Sequence, residues 1–184
     1  MTFQFILSAL YFFLPAYFAN MTPPLVKKAS LVKFLDKPVD FNRKFRGQPF
    51  LGPHKTWRGV ILGILVGFLM VYFQKYLYRF SAVKNLSLLN YTQINILFFG
   101  ILISSGAICG DLVSAFVKRR LGLKSGARFL PFDQTNYVLG SYFFLTPFFK
   151  IDIEAWLILF VLSFFLHIIF NRIGYHLKLH GAKW

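Results

Sequence analysis

Acidic residues are scarce in this chain: six Asp and Glu stand against 21 Lys and Arg in 184 residues. So few carboxylates exclude a metal site built from a cluster of acids, and leave room for one built from a pair. Cys109 is the only cysteine, which rules out an intrachain disulfide or a cysteine-cluster metal site. No basic residue precedes the first apolar segment, a pattern that argues against a cleaved signal peptide. The positive charge comes without a recognised nucleic-acid motif, and no internal inverted repeat of the transporter kind is visible. Nucleic acid is therefore not expected as a partner.

Apolar residues, in contrast, are abundant. Hydrophobic content of 57%, 25 Phe and a mean hydropathy of +0.57 exceed the roughly 45–50% apolar content of soluble domains. This composition predicts an all-α integral membrane protein forming one membrane-embedded domain over residues 1–184. Five spans are expected, at residues 3–19, 59–77, 94–117, 135–149 and 153–170, with Pro15 bending the first. The fourth is short against the ~20 residues a helix needs to cross a bilayer, and Pro147 interrupts its end. Gly63 and Gly67, spaced by four, suit close helix packing. Between spans lie a proline-punctuated loop, 20–58, and a basic loop, 118–134; Phe45-Arg46-Gly47-Gln48-Pro49-Phe50 reads as a tight turn between short extended pieces.

Orientation follows from the basic residues, which are enriched in cytoplasmic loops. One face receives nine from the first loop, five from the second and three from the C-terminal tail; the other receives Lys75, Arg79, Lys84 and Lys150. The reading places the N-terminus outside, the C-terminus and both loops in the cytoplasm, and the chain in the cell membrane.

The chemistry concentrates between Gly110 and Gln134, where Asp111 sits inside an apolar helix and Asp133 follows Pro131 after a basic loop. An ionisable group within a span is costly and marks a functional site by default. Ser114 and Lys118, at i+3 and i+7 from Asp111, share its helix face. Two acids beside a basic loop suggest a metal and phosphates. Plainer readings stand beside this one: Asp133 suits a helix cap, Asp111 can pair with a snorkelling cation, and Lys118-Arg119-Arg120 can be an interfacial anchor. Lys55-Thr56-Trp57-Arg58-Gly59 reads equally as a headgroup-level helix start or a phosphate site. His176 and His180 have metal-ligand spacing but no third ligand nearby, Tyr175 and Trp184 suit the membrane boundary, and His167 reads as a packed bundle residue.

Several separated motifs carry a family resemblance. They are Pro15-Ala16-Tyr17 with Ala19-Asn20-Met21 and Pro23, the loop Asp40 to Gly59, GDLVSAFVKRR with Pro131 and Asp133-Gln134, and a tail with Asn171, Tyr175, Lys178 and Trp184. Together they resemble the CDP-archaeol synthase family, relatives of the bacterial CDP-diacylglycerol synthases. KTWRG is similar to the bacterial KTWEG element, and Ser114, Lys118, Arg119 and Lys124 resemble the start of the bacterial Ser-Lys-Arg signature. Phe132-Asp133-Gln134 replaces that signature's later Gly-rich and Asp-Arg part, which favours the archaeol-type branch.

The resemblance implies a CTP:lipid-phosphate cytidylyltransferase using Mg²⁺, with CTP, a lipid phosphate and membrane lipids as partners and a homodimer left open. It gives the metal to Asp111 and Asp133, catalysis to these acids with Lys118, and phosphates to Lys55, Thr56, Arg58, Ser114, Arg119 and Lys124. Asn42, Arg43 and Arg46 are further phosphate or nucleotide candidates, while Asn20, Gln134 and Asn171 are expected to line the lipid side of the site. A basic lipid-binding protein without turnover and a small transporter are the readings from other classes. An Asp-rich phosphotransferase would need more carboxylates than this chain has.

Overall fold

Three prolines fall inside the first helix, and the helix continues through all of them. In the computed structural model, which describes residues 2–29, 31–124 and 127–176, α1 spans Phe3–Lys28 and contains Pro15, Pro23 and Pro24. The expected end at Ala19 is therefore corrected: the polar loop begins a further two and a half turns along. Proline lacks the N–H that would bond the carbonyl four residues back, so Pro15 deprives Tyr11. Gln74, fully buried, repairs the loss from a neighbouring helix by donating its side-chain amide to the Tyr11 carbonyl at 2.5 Å. Its carbonyl in turn accepts from the Tyr91 hydroxyl at 3.1 Å.

The remaining helices are α2 (Trp57–Leu77), α3 (Ser81–Leu86), α4 (Ile96–Arg120), α5 (Phe132–Leu145) and α6 (Ile153–His176). By length and composition, α1, α2, α4 and α6 can each cross a membrane. Their outer faces expose large apolar side chains, among them Leu65 and Leu69 on α2 and Phe165 and Ile169 on α6. The expected all-helical membrane protein is what the chain forms. The segment expected at 135–149 is a 14-residue helix starting earlier, at Phe132, and ending at Leu145, before Pro147. At 1.5 Å per residue it measures only about 21 Å.

Aromatic rings from four helices fill the core. Phe12 meets Trp156 edge-on at 5.8 Å, Phe13 stacks on Tyr137 at 6.0 Å, and Phe99 lies 6.0 Å from Phe12. Small residues set the helix spacing around this core. A Cβ at Gly63 or Gly67 would press on Ile108 or Ser104 of α4 and on α1 main-chain oxygens, so both expected packing glycines are used. The tightest approach is between α4 and α5: a Cβ at Gly110 would strike the Asn136 carbonyl, and one at Gly140 the Gly106 carbonyl. This backbone contact sets the second and third turns of α5 against the middle of α4, so that Asp133 in the first turn of α5 falls beside Ser114 and Lys118.

Between α1 and α2 a small platform forms. Strands β1 (Lys44–Phe45) and β2 (Gln48–Pro49) pair antiparallel, and Arg46 and Gly47 between them take φ of 51° and 77°, as a two-residue hairpin turn requires. The tight turn read from the sequence is present.

Candidate active site

Lys55 reaches the site because its loop is closed at its base. The Val39 amide donates to the Lys55 carbonyl at 2.8 Å and the Trp57 amide to the Lys37 carbonyl at 2.9 Å, while Thr56 caps α2 by accepting from the Gly59 amide at 3.4 Å. Asp40 organises the interior of the loop. Its two carboxylate oxygens accept from the amides of Asn42 (3.0 Å), Leu51 (2.8 Å) and Gly52 (3.1 Å). Burial alone would raise the Asp40 pKa, but these amides outweigh it and hold the carboxyl below its ordinary value. Arg120, at the end of α4, docks the hairpin from below by donating to the carbonyls of Phe45, Gln48 and Pro49.

This scaffold delivers two acid–lysine pairs to one cleft. The Lys55 ammonium lies 2.7 and 2.6 Å from the two oxygens of Asp111. Across the cleft, the Lys118 ammonium is 2.7 Å from Asp133, which also accepts from the Ser114 hydroxyl at 3.2 Å and the Phe129 amide at 3.1 Å. Asp133 thus bonds backwards to the loop before α5 and does not cap the helix; no side chain caps α5. The first-turn position still places its negative charge at the favourable end of the helix dipole.

A cavity of about 320 Å³ is lined by Lys55, Asp111, Lys118, Arg119 and Asp133 together with His54, His167 and Asn171. A second, of about 520 Å³, joins Asn20, Lys27, Thr56 and both acids to the same His54 and His167. Against them lies an apolar groove of about 500 Å³ between α1 and α6, formed by residues such as Leu14, Phe18, Leu166 and Phe170 and again reaching Asn20, His167 and Asn171.

Most sequence-derived candidates therefore meet at one place, but not all. Arg58 is buried and turned aside, bound to Asp36 at 3.0 Å and to the Leu31 carbonyl at 3.2 Å. Asn42, Arg43 and Arg46 are exposed on the hairpin loop, Arg46 lying 5.5 Å over the Phe45 ring. Lys124 is exposed, and its carbonyl accepts from Arg119 at 3.3 Å. Gln134 is buried outside the cleft lining, its side-chain oxygen without a hydrogen-bond partner. Lys178, His180 and Trp184 lie outside the described residues, and His176 is in ring contact with Tyr175.

Sequence reading gave four contributors no part in the site. His54 approaches the Lys27 ammonium through Nδ1 at 3.3 Å; burial and then Lys27, Lys55 and Arg119 hold its pKa below the ordinary value. His167 joins three cavities, and Asp40 and Arg120 set the platform. Two carried a signal: Asp40, an acid opening a loop with Gly47, Pro49, Gly52 and Pro53, and His167, spaced i, i+4 from Asn171.

The donor set fits a hard cation. Among the described residues no three His, Cys, Asp or Glu cluster as a metal site, so a protein-only cage of the zinc kind is not built. Two carboxylates facing one cleft suit Mg²⁺, which commonly takes one or two and completes its shell with water and substrate phosphates.

A family model described as CarS-like, CDP-archaeol synthase, matches residues 2–184. The chain belongs to the CDP-archaeol synthase family. Relatives named CDP-archaeol synthase include those of Sulfurisphaera tokodaii, 30% identical over 98% of this chain and 97% of theirs, and Thermococcus gammatolerans, 34% identical over 96% and 95%. That of Pyrococcus furiosus is 31% identical over 97% and 98%. A solved structure described as an intramembrane enzyme for archaeal membrane lipid biosynthesis superposes with a TM-score of 0.70 at 26% identity, covering 90% of this chain and 94% of that one. Membership in the CDP-archaeol synthase family agrees with the lipid-facing helices and with a polar cleft beside an apolar groove.

Proposed function

We propose that this protein is a membrane cytidylyltransferase that transfers CMP from CTP to an archaeol-type lipid phosphate, forming a CDP-lipid and pyrophosphate for phospholipid biosynthesis. The observation that carries the reading is the juxtaposition of two Asp–Lys pairs, Lys55–Asp111 and Lys118–Asp133, with an apolar groove that meets their cleft at His167 and Asn171. Tails stay in the groove and the phosphate reaches the cleft.

A lipid phosphate oxygen attacks the α-phosphorus of CTP, and the bond from that phosphorus to the bridging oxygen of the departing pyrophosphate breaks. The nucleophile needs no dedicated base, because a phosphate monoester with a second pKa near ~6 is largely ionised at neutral pH. The difficulty is bringing two polyanions together. Lys55 and Lys118 counter that repulsion and hold the phosphates in line. Asp111 and Asp133 hold Mg²⁺, which supplies charge neutralisation and orientation of the phosphates. The surplus of basic residues on the loops and tail supports a cytoplasm-facing site in the cell membrane with the N-terminus outside.

The test is pyrophosphate release by the purified protein in detergent with CTP, Mg²⁺ and archaeol phosphate or diacylglycerol phosphate. Lipid-dependent release that falls at least ~100-fold in both Asp111→Asn and Asp133→Asn is expected. Folded wild-type protein that binds lipid phosphate without turnover would point instead to a non-catalytic lipid-binding protein.

A further inference from the structure

The three cavities around the acid pairs share one side chain, His167. It sits on α6 at the seam between the charged cleft and the apolar groove, with Leu166 and Phe170 of the same helix on the groove side. Its ring is fixed from two directions. The Asn171 amide nitrogen lies 3.1 Å from His167 Nδ1, and the Tyr137 ring lies 6.5 Å away at an interplanar angle of 31°. An amide nitrogen donates and does not accept, so Nδ1 is the acceptor and the ring proton resides on Nε2. One turn earlier, Ser163 bonds the Tyr17 hydroxyl at 2.7 Å, which ties this part of α6 to α1 and closes the base of the groove.

Resting on the cytidylyltransferase reading, we propose that His167 is a specificity residue for the lipid substrate: its Nε2–H donates to a phosphate oxygen of the lipid, and Asn171 sets the tautomer that makes this possible. The placement distinguishes it from the lysines: Lys55 and Lys118 lie against the acids and line no part of the groove, whereas His167 lines the groove as well as both charged cavities and so stands where a phosphate still joined to its chain enters the cleft. A donor at this seam fixes how far the lipid head advances towards the nucleotide. Asn20, which lines both the groove and the larger cleft from α1, faces the same junction from the opposite helix.

Steady-state kinetics of His167→Ala, His167→Gln and His167→Asn, with CTP and lipid phosphate varied separately, test the proposal. Gln carries an amide nitrogen near the position of Nε2, while Asn reaches only that of Nδ1. The Ala and Asn variants should raise the KM for lipid phosphate about tenfold, as loss of one hydrogen bond to a charged group does. The KM for CTP should stay within about twofold of wild type, and Gln should restore most of the lipid affinity. A KM for CTP that rises as much as that for lipid, no change in either, or failure of Gln to outperform Asn would overturn it.

Lipid-phosphate binding in CTP-free micelles gives a second readout independent of turnover. If wild type binds lipid phosphate but releases no pyrophosphate, the enzyme reading fails and His167 is judged on the binding curves alone. There a tenfold weaker Ala variant supports the role and an unchanged one refutes it. If Ala does not fold, the Gln and Asn pair decides.

Discussion

Lys55 and Asp111, 56 positions apart in sequence, form a two-pronged ion pair at 2.7 and 2.6 Å. The pair joins the loop before α2 to the interior of α4, and its side chains keep 27% of their surface exposed. A half-open pair of this kind contributes at most about 1 kcal/mol to stability. Its geometry is therefore better explained by chemistry than by folding.

Lys55→Ala is accordingly expected to leave the melting temperature nearly unchanged while lowering kcat/KM by roughly 100-fold, the cost of removing one preorganised charge donor. Lys55→Arg should not restore it, because a guanidinium would lock onto both Asp111 oxygens as a fork and would not offer phosphates the compact, mobile point charge of an ammonium. Thermal melts and pyrophosphate release on the same samples decide. A large loss of stability with kcat/KM intact would make the pair structural.

Asp40 should make the loop platform sensitive to acid. Its folded-state pKa lies below the ordinary 3.8, so its stabilising effect is complete above that value and is lost as the pH falls through the lower folded-state value. Asp40→Asn keeps one acceptor oxygen of two and should weaken the loop by about 2 kcal/mol at neutral pH. Hydrogen exchange at the Leu51 and Gly52 amides, corrected for intrinsic pH dependence, reads both effects. Unchanged protection in the variant would contradict the assignment.

Gln74 should prove essential to the proline-containing helix. Gln74→Leu strands the Tyr11 carbonyl and the Tyr91 hydroxyl in the core, at a cost of about 2–4 kcal/mol. Adding Pro15→Ala returns an N–H that can bond the Tyr11 carbonyl, so the double variant should recover part of the loss. Denaturation in detergent measures the cycle; strict additivity would show that the two residues are not coupled.

The sequence made the reactive half of the site legible for a physical reason. Asp111, Ser114 and Lys118 recur at helical spacing, and a carboxylate inside an apolar run stands out against its surroundings. The hairpin was legible from Arg46-Gly47. Lost from view were features that depend on a distant partner. Pro23 and Pro24 looked like a loop, yet α1 passes through them with Pro23 packed against Gly59 and the Thr22 hydroxyl bonded to the Phe18 carbonyl at 2.7 Å. Arg58 looked like a phosphate ligand because KTWRG places it beside Lys55, but a helix turns successive residues by about 100°, and its partner proved to be Asp36. His167 shares a helix face with Asn171 by spacing and reads from the sequence as a packed bundle residue; its place in the site lies in the meeting of three cavities, which no local pattern shows.

The closeness of α4 and α5 at Gly110 and Gly140 has a further effect on where the two substrates meet. Asp111 lies nine residues from the end of α4 at Arg120, roughly 13 Å along the axis, and Asp133, in the first turn of α5, lies beside Ser114 and Lys118, three and seven residues further along α4. Both acids are therefore reached from inside the helix bundle, through the cavities they line, and not from the exposed end of α4. The glycine contact that joins α4 to α5 thus also sets the width of the cavities between their acids: a side chain at Gly110 or Gly140 would push the helices apart and with them Asp111 and Asp133.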